Sequence, residues 1–298
     1  MRCSSYTLVL TAALCSCASS TLTFPTPVAA VQALLESAEH PDAAEQLLGP
    51  GGFDVLRSGD EVADREDLAT VRQLIAQKLE FDEVADDCCI ALLGDDRWPL
   101  PIPIVRAADG WLFDFDAGKD EILNRRVGQN ELSTIATLRA CVDAQFEYAS
   151  VGRDGNPPRF AGKWSSSEGS HDGLYWPLTP GEVVSPLGPL VAAANAAGYR
   201  RAATNKPVPY HGYLYRMLTA QGLNAPGGAR DYVDASGRLR DGFGFLAWPV
   251  SYGNSGVMSF KVNRQGIVFE SDLGRNTAAI IAGINSYDPA LNWRPVSL

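Results

Sequence analysis

The sequence is poor in the residues on which metal sites and nucleic-acid interfaces depend. Its 298 residues include only three histidines and six cysteines, and no C-x-x-C pair or Cys/His spacing of the zinc-binding type occurs. Lys and Arg number 25 against 35 Asp and Glu, which gives a formal net charge of −10. Because nucleic acid is held by cationic surfaces, this balance excludes a nucleic-acid-binding protein. No cofactor and no metal are expected.

Long hydrophobic runs and internal repeats are also missing. Hydrophobic residues make up 46% of the chain and the mean hydropathy is −0.08, values that exclude a polytopic membrane protein and a disordered chain. The 28 glycines and 19 prolines indicate many turns and argue against a helical bundle. A chain of this length is expected to form about two domains.

The first residues have the pattern of a secretory signal. Arg2 precedes an apolar run at 6–14, and small residues follow, so residues 1–16 are predicted to be a signal peptide. The run is too short to span a bilayer as a mature helix. Leu14-Cys15-Ser16-Cys17 resembles a lipobox with Cys17 as the lipidated residue, and cleavage near Ser20 is the alternative. We expect an exported, periplasmic lipoprotein that is attached to the membrane by its lipid anchor only.

Two α+β domains are predicted beyond a tether at 17–27. Short helices followed by strands at 88–93 and 98–105 indicate a small α+β domain over 24–116. Three prolines in the second of these strands predict an edge or bulged strand.

The second domain is predicted over 117–298. A long helix is expected at about 119–150, because apolar residues recur there at helical spacing. A shorter helix at 186–197 and an antiparallel β-meander follow. The overall fold class is therefore α+β.

Nine short motifs are spread along the chain. They are WPLPIP at 98–103, DEILNRRVG at 120–128, CVDAQFEY at 141–148, DGLYWP at 172–177, SPLGPL at 185–190, YHGY at 210–213, PGGA at 226–229, GVMSFKVN at 256–263 and DLG at 272–274. In these motifs and their order, over about residues 24–296, the chain resembles the bacterial family called Domain of Unknown Function 2950. The resemblance implies an exported envelope protein and no particular activity.

Weaker likenesses concern the fold alone. The first domain is similar in outline to small NTF2-like α+β domains. The long helix and meander of the second domain are similar to the globular part of type IV pilins and pseudopilins. A pilin helix continues an apolar N-terminal helix, whereas this helix begins about 100 residues into the chain. Fold analogy carries no function by itself.

The residues offer weak candidates for catalysis. His171 adjoins Asp172, and His211 lies in Tyr210-His211-Gly212-Tyr213, so either imidazole is a possible general base. A histidine satisfied by a backbone carbonyl or by water is the alternative for each. Asp154-Gly155-Asn156 keeps only a fragment of a calcium-loop pattern. No catalytic residue is therefore assigned.

Aromatic residues in the irregular segments are the candidates for ligand binding. Tyr175, Trp176, Tyr210 and Tyr213 are expected to line a groove for a glycan or a peptide, and core packing is the alternative. These residues favour a non-catalytic binding or scaffold module with an envelope protein or glycan as partner. The competing functions are a hydrolase that uses His171 or His211 and a pilin-like subunit of a secretion or filament system.

The sequence does not determine whether the cysteines beyond the signal peptide form a disulfide. Cys88, Cys89 and Cys141 are predicted to be buried free thiols, and a bridge from Cys141 to one of the adjacent pair is the alternative.

Overall fold

The computed structural model describes residues 22–181, 183–199, 208–235, 238–290 and 292–297. The predicted signal peptide and the lipidation site at Cys17 lie outside these residues. Of these described residues, 36% are helical and 24% are in strands or bridges, and the sheets are antiparallel, which confirms the α+β class. It forms two compact units. The first contains the described residues up to Leu56 together with Thr70–Ile122, and the second contains Arg57–Ala69 and the chain from Leu123 onward.

The first unit packs short helices on one antiparallel sheet. The sheet has the order β1-β2-β4-β5, and β3 also pairs with β2. The elements that lie wholly in this unit are α1 (Pro27–Ser37), α2 (Pro41–Leu48), α3 (Gly52–Leu56), β1 (Leu79–Ala85), β2 (Cys88–Leu93), β3 (Trp98–Pro99), β4 (Ile104–Ala107) and β5 (Gly110–Phe113). The proline-rich segment thus forms two short strands instead of one, because proline cannot donate to a strand ladder.

The start of the first unit is tied to its sheet. Phe24 exchanges two backbone hydrogen bonds with Trp111, each 2.7 Å long. Gly110 lies against the Phe24 backbone, and a Cβ atom at Gly110 would approach the Phe24 carbonyl oxygen to 2.5 Å. The chain therefore joins the unit at Phe24, within the segment predicted as a tether.

The second unit contains a five-stranded sheet and the greater part of a long helix. The helices α4 (Glu61–Gln77) and α5 (Phe115–Ala149) each cross a division between the units. The sheet has the order β12-β11-β10-β9-β6, and β7 pairs with β8. The remaining elements are α6 (Gly188–Ala196), β6 (Tyr213–Leu218), β7 (Ala220–Gln221), β8 (Arg230–Asp231), β9 (Gly244–Pro249), β10 (Met258–Asn263), β11 (Phe269–Asp272), a 3₁₀ turn (Gly274–Asn276), α7 (Thr277–Ala282) and β12 (Arg294–Pro295).

Both faces of this sheet are buried. Phe245 and Phe260 join Leu138 of α5 in the larger core. Leu246, which follows Phe245 along β9, points to the opposite face and packs with Tyr287 and Trp293. The covering of both faces explains why the central strand β9, with the sequence GFLAWP, has an unbroken run of apolar residues.

Candidate functional site

An apolar pocket of about 440 Å³ opens in the second unit. It is bounded by α5, the segments around 164 and 175, α6, the residues before β6, and β6 itself. We call this the apolar pocket. Its lining residues are Thr137, Cys141, Trp164, Ser165, Tyr175, Leu187, Leu190, Val191, Ala194, Asn195, Tyr199, Val208, Pro209, Tyr210 and Tyr215. The volume falls within the range of sites that bind small organic molecules.

One wall of the apolar pocket is built by two extended segments. The backbone NH of Tyr175 donates to the carbonyl of Trp164 at 2.9 Å. The NH of Leu187, just before α6, donates to the carbonyl of Leu174 at 3.0 Å. Trp164 also packs on Phe245 of the core, with ring centroids 5.1 Å apart. These contacts fix Tyr175 and Trp164 beside α6.

A second wall is anchored by the buried carboxylate of Asp60. The Tyr199 hydroxyl donates to Oδ2 of Asp60 at 2.9 Å, and the NH of Gly212 donates to the same oxygen at 3.0 Å. Oδ1 of Asp60 accepts from the NH groups of Val62 and Ala63 in the first turn of α4. Asp60 is only 1% exposed and is fully hydrogen-bonded, so it is a positioning residue for Tyr199.

The Tyr210-His211-Gly212-Tyr213 motif forms the turn that brings Tyr210 to the apolar pocket. Its central residues have φ values of +50° and +71°, as a type I′ turn requires. Tyr210 and Tyr213 exchange backbone hydrogen bonds of 2.8 and 3.2 Å across the turn. The Tyr210 ring meets the Tyr199 ring edge to face at 4.9 Å. The motif therefore forms a tight turn that positions the Tyr210 ring at the apolar pocket.

Helix α5 and strand β6 contribute Thr137, Cys141 and Tyr215 to the lining. The Tyr215 hydroxyl donates to Oγ1 of Thr134 at 3.3 Å, and that of Thr137 donates to the carbonyl of Ser133 at 2.8 Å. Cys141 is 1% exposed, and burial raises the pKa of its thiol to about 12. The thiol is therefore protonated at neutral pH and is a weak nucleophile.

None of the described lining residues carries a charged side chain. Desolvation by burial raises the pKa of Tyr199, Tyr210 and Tyr215, so these phenols are neutral at physiological pH. A charged ligand would lose its hydration without gaining an ion pair from any of these described lining residues. The lining thus suits an uncharged ligand.

His171 and Asp172 do not pair with each other. His171 contacts Asp154 through its backbone NH, at 2.7 Å, and through Nδ1, at 3.1 Å. Asp172 accepts instead from Lys163 at 2.5 Å and from the NH of Ser167 at 2.7 Å. Burial acts to raise the pKa of Asp172, but these hydrogen bonds outweigh it and hold the pKa below its ordinary value. Asp172 is therefore an ionised structural group.

His211 lies behind the second wall of the apolar pocket. Its ring is 4.3 Å from the Tyr210 ring and 5.9 Å from the Tyr199 ring. Burial lowers its pKa, against the opposing charges of Asp60 and Glu66. As far as the described residues define the apolar pocket, neither His171 nor His211 lines it. The two histidines therefore have different neighbours, Asp154 for His171 and the Tyr199 and Tyr210 rings for His211.

The four predicted aromatic residues fall into two groups. Tyr175 and Tyr210 line the apolar pocket. Trp176 is 4% exposed and Tyr213 is fully buried, and both belong to the larger core. The Tyr213 hydroxyl donates to the carbonyl of Met258 at 2.8 Å, and Trp176 Nε1 donates to the carbonyl of Val183 at 2.9 Å. In each of the two motifs, one aromatic residue therefore lines the apolar pocket and the other packs in the core.

Trp164, Cys141 and the apolar residues of α6 were not predicted as site residues. Trp164 lies in none of the motifs above, and Cys141 begins one of them but was predicted only as a buried thiol. The clustering of apolar residues on α6 was a usable signal, because Leu187, Leu190, Val191 and Ala194 recur at helical spacing.

No described helix is both long enough and apolar enough to cross a membrane. Nor do three or more His, Cys, Asp or Glu side chains group, within the described ranges, where they could hold a metal ion. The described cysteines Cys88, Cys89 and Cys141 are free.

The fold and the apolar pocket define a mixed α+β protein with a small-molecule-sized site in its second unit. The chain belongs to the family described as protein of unknown function (DUF2950), whose model matches residues 21–296. The predicted family resemblance is thereby confirmed. No curated protein and no solved structure matches the chain.

Proposed function

We propose that this protein is an exported envelope protein that binds an uncharged, mainly apolar ligand in the apolar pocket without transforming it. The observation that carries the proposal is the lining, which combines five aromatic side chains with aliphatic residues of α6 and has no charged side chain among its described members. Apolar walls with a few polar atoms are typical of small-molecule sites. The N-terminal sequence supports export and anchoring through Cys17.

Binding is favoured over hydrolysis by the arrangement of the candidate catalytic groups. The carboxylate of Asp172 is engaged by Lys163 and Ser167, and His171 is held by Asp154. A general base must lie within hydrogen-bond reach of the proton that it abstracts. Neither histidine is in place to serve a ligand in the apolar pocket, so the proposal assigns no reaction.

Titration with the uncharged dye Nile red tests the proposal. At roughly 0.3 kcal/mol per non-hydrogen atom, a dye of this size is expected to bind with a Kd on the order of 10 µM. Ala194→Trp fills the apolar pocket and should weaken binding at least about tenfold, because overpacking leaves no space for the dye.

Ala193→Trp is the matched control. Ala193 is exposed on α6 and is not among the described lining residues, so this variant should bind the dye as the wild type does. Circular dichroism confirms that both variants are folded. Absence of saturable dye binding to the wild type, or equal binding by the two variants, would contradict the proposal.

A further inference from the structure

We infer that the apolar pocket selects flat aromatic ligands of two or more fused rings over saturated ligands of the same size. The inference rests on the proposed function and deepens it by naming the ligand class. It draws on three features: the fixed rings of the walls, the sulfur atom in the lining, and the absence of charged side chains among the described lining residues.

The first feature is the set of rings that line the apolar pocket. Trp164, Tyr175, Tyr199, Tyr210 and Tyr215 all contribute. Several of these rings are held before any ligand arrives: Trp164 packs against Phe245, and the Tyr199 and Tyr210 rings meet at an interplanar angle of 68°. Preorganised rings present faces and edges to a further ring, and aromatic pairs gain more than their buried area alone provides.

The second feature is the sulfur atom of Cys141. Cys141 is 1% exposed and its free thiol belongs to a residue that lines the apolar pocket. Sulfur makes favourable contacts with the edges of aromatic rings, and a saturated ring offers no equivalent partner. The wall rings and the sulfur therefore favour the same class of ligand.

The third feature is the low polarity of the apolar pocket together with its volume. The hydroxyls of Tyr199 and Tyr215 are already engaged by Asp60 and Thr134, so they leave little for a sugar ring to bond. A glycan in this lining would lose hydrogen bonds to water and regain only part of them, because the lining is mainly apolar. A volume of about 440 Å³ has room for a bicyclic aromatic compound and for somewhat larger ones. The chemistry thus selects neutral aromatic compounds of two or more rings from the ligands that the proposed function allows.

Competition between two alcohols and Nile red tests the inference. The probes are 2-naphthol and decahydro-2-naphthol, which share a carbon skeleton and are both uncharged at neutral pH. We expect 2-naphthol to displace the dye at about tenfold lower concentration, as one or two aromatic contacts would produce. Equal potency of the two alcohols, or displacement by neither, would overturn the inference and leave the proposed function standing.

A variant assigns the preference to the wall rings. Tyr175→Leu keeps an apolar side chain and removes a ring, so the affinity for 2-naphthol should fall about fivefold while that for decahydro-2-naphthol changes less than about twofold. An equal loss for both alcohols indicates a general change of shape and overturns the inference. Failure of Nile red to bind the wild type contradicts the proposed function itself, so the two failures are distinguishable.

Discussion

Lys261 places an ionisable amine in the interior of the second unit. It is only 2% exposed, its Nζ donates to the carbonyl of Asp288, and it lies 3.8 Å from the centroid of the Trp293 ring. Desolvation lowers its pKa to about 7, and the charge of Asp288 only partly opposes this. In the unfolded chain the same amine keeps its ordinary, much higher pKa.

This difference predicts a dependence of stability on pH. Between the folded pKa of about 7 and the ordinary value of 10.5, the unfolded chain binds a proton at Lys261 that the folded chain does not. The free energy of unfolding should therefore rise with pH across this window, by up to about 1.4 kcal/mol per pH unit. Lys261→Met should remove that contribution, as measured by urea denaturation at several pH values within the window.

The comparison below the window is the control. Under about pH 6, Lys261 is protonated in the folded and the unfolded chain, so the wild type and Lys261→Met should have the same slope there. If Lys261→Met keeps the slope of the wild type within the window as well, Lys261 titrates normally and its assigned environment is wrong.

The side chain of Asp60 stabilises both the start of α4 and the wall of the apolar pocket that contains Tyr199. It caps α4 through the NH groups of Val62 and Ala63, and it also accepts from Tyr199 and Gly212. Asp60→Ala should lower the free energy of unfolding by about 3 kcal/mol, because a helix cap and buried charge-assisted hydrogen bonds are lost together. Chemical denaturation followed by near-UV circular dichroism measures the loss.

Tyr199→Phe tests the anchoring of the pocket wall and leaves the cap of α4 intact. It removes the hydrogen bond to Asp60 and the one that the hydroxyl accepts from the NH of His211, and it keeps the ring, so its cost should be about 2 kcal/mol. A cost below about 0.5 kcal/mol for Asp60→Ala would contradict the role of Asp60 as an anchor.

At the level of elements, hydrophobic periodicity located most of the helices and strands. The helix predicted over 119–150 begins earlier, at Phe115, because Asp114 caps it by accepting from the NH of Ala117 at 3.1 Å. Strand β1 was not predicted, since its exposed half contains Asp82 and Glu83 and lacks the alternation of a half-buried strand. Exposed strands at a sheet edge depend on the pairing partner more than on their own residues.

The candidate site could be predicted only in part. Tyr175 and Tyr210 lie in irregular segments, where surface sites concentrate, and this signal identified them. The same signal included Trp176 and Tyr213, whose burial depends on contacts with distant parts of the chain. The link from Tyr199 to Asp60 spans 139 residues and leaves no local pattern in the sequence.

At the scale of the whole molecule, composition and motif order led to the α+β class and to the family, both of which are confirmed. The two-unit division adds Arg57–Ala69 to the second unit, a discontinuity that no boundary drawn along the chain predicts. The presence of Asp60 in this segment gives the physical reason, because it bonds Tyr199 and Gly212. The Arg57–Ala69 segment therefore anchors a wall of the apolar pocket through Asp60, although it contributes none of the described lining residues.

The central claim is that the apolar pocket is the ligand-binding site, and the location of a bound ligand tests it most directly. Amide NMR spectra of the full chain, recorded with and without saturating Nile red, should show the largest shifts at lining residues such as Trp164, Tyr175, Val191 and Tyr210. Shifts confined to the first unit, or dye binding that leaves all four of these amides unchanged, would contradict the assignment of the apolar pocket as the binding site.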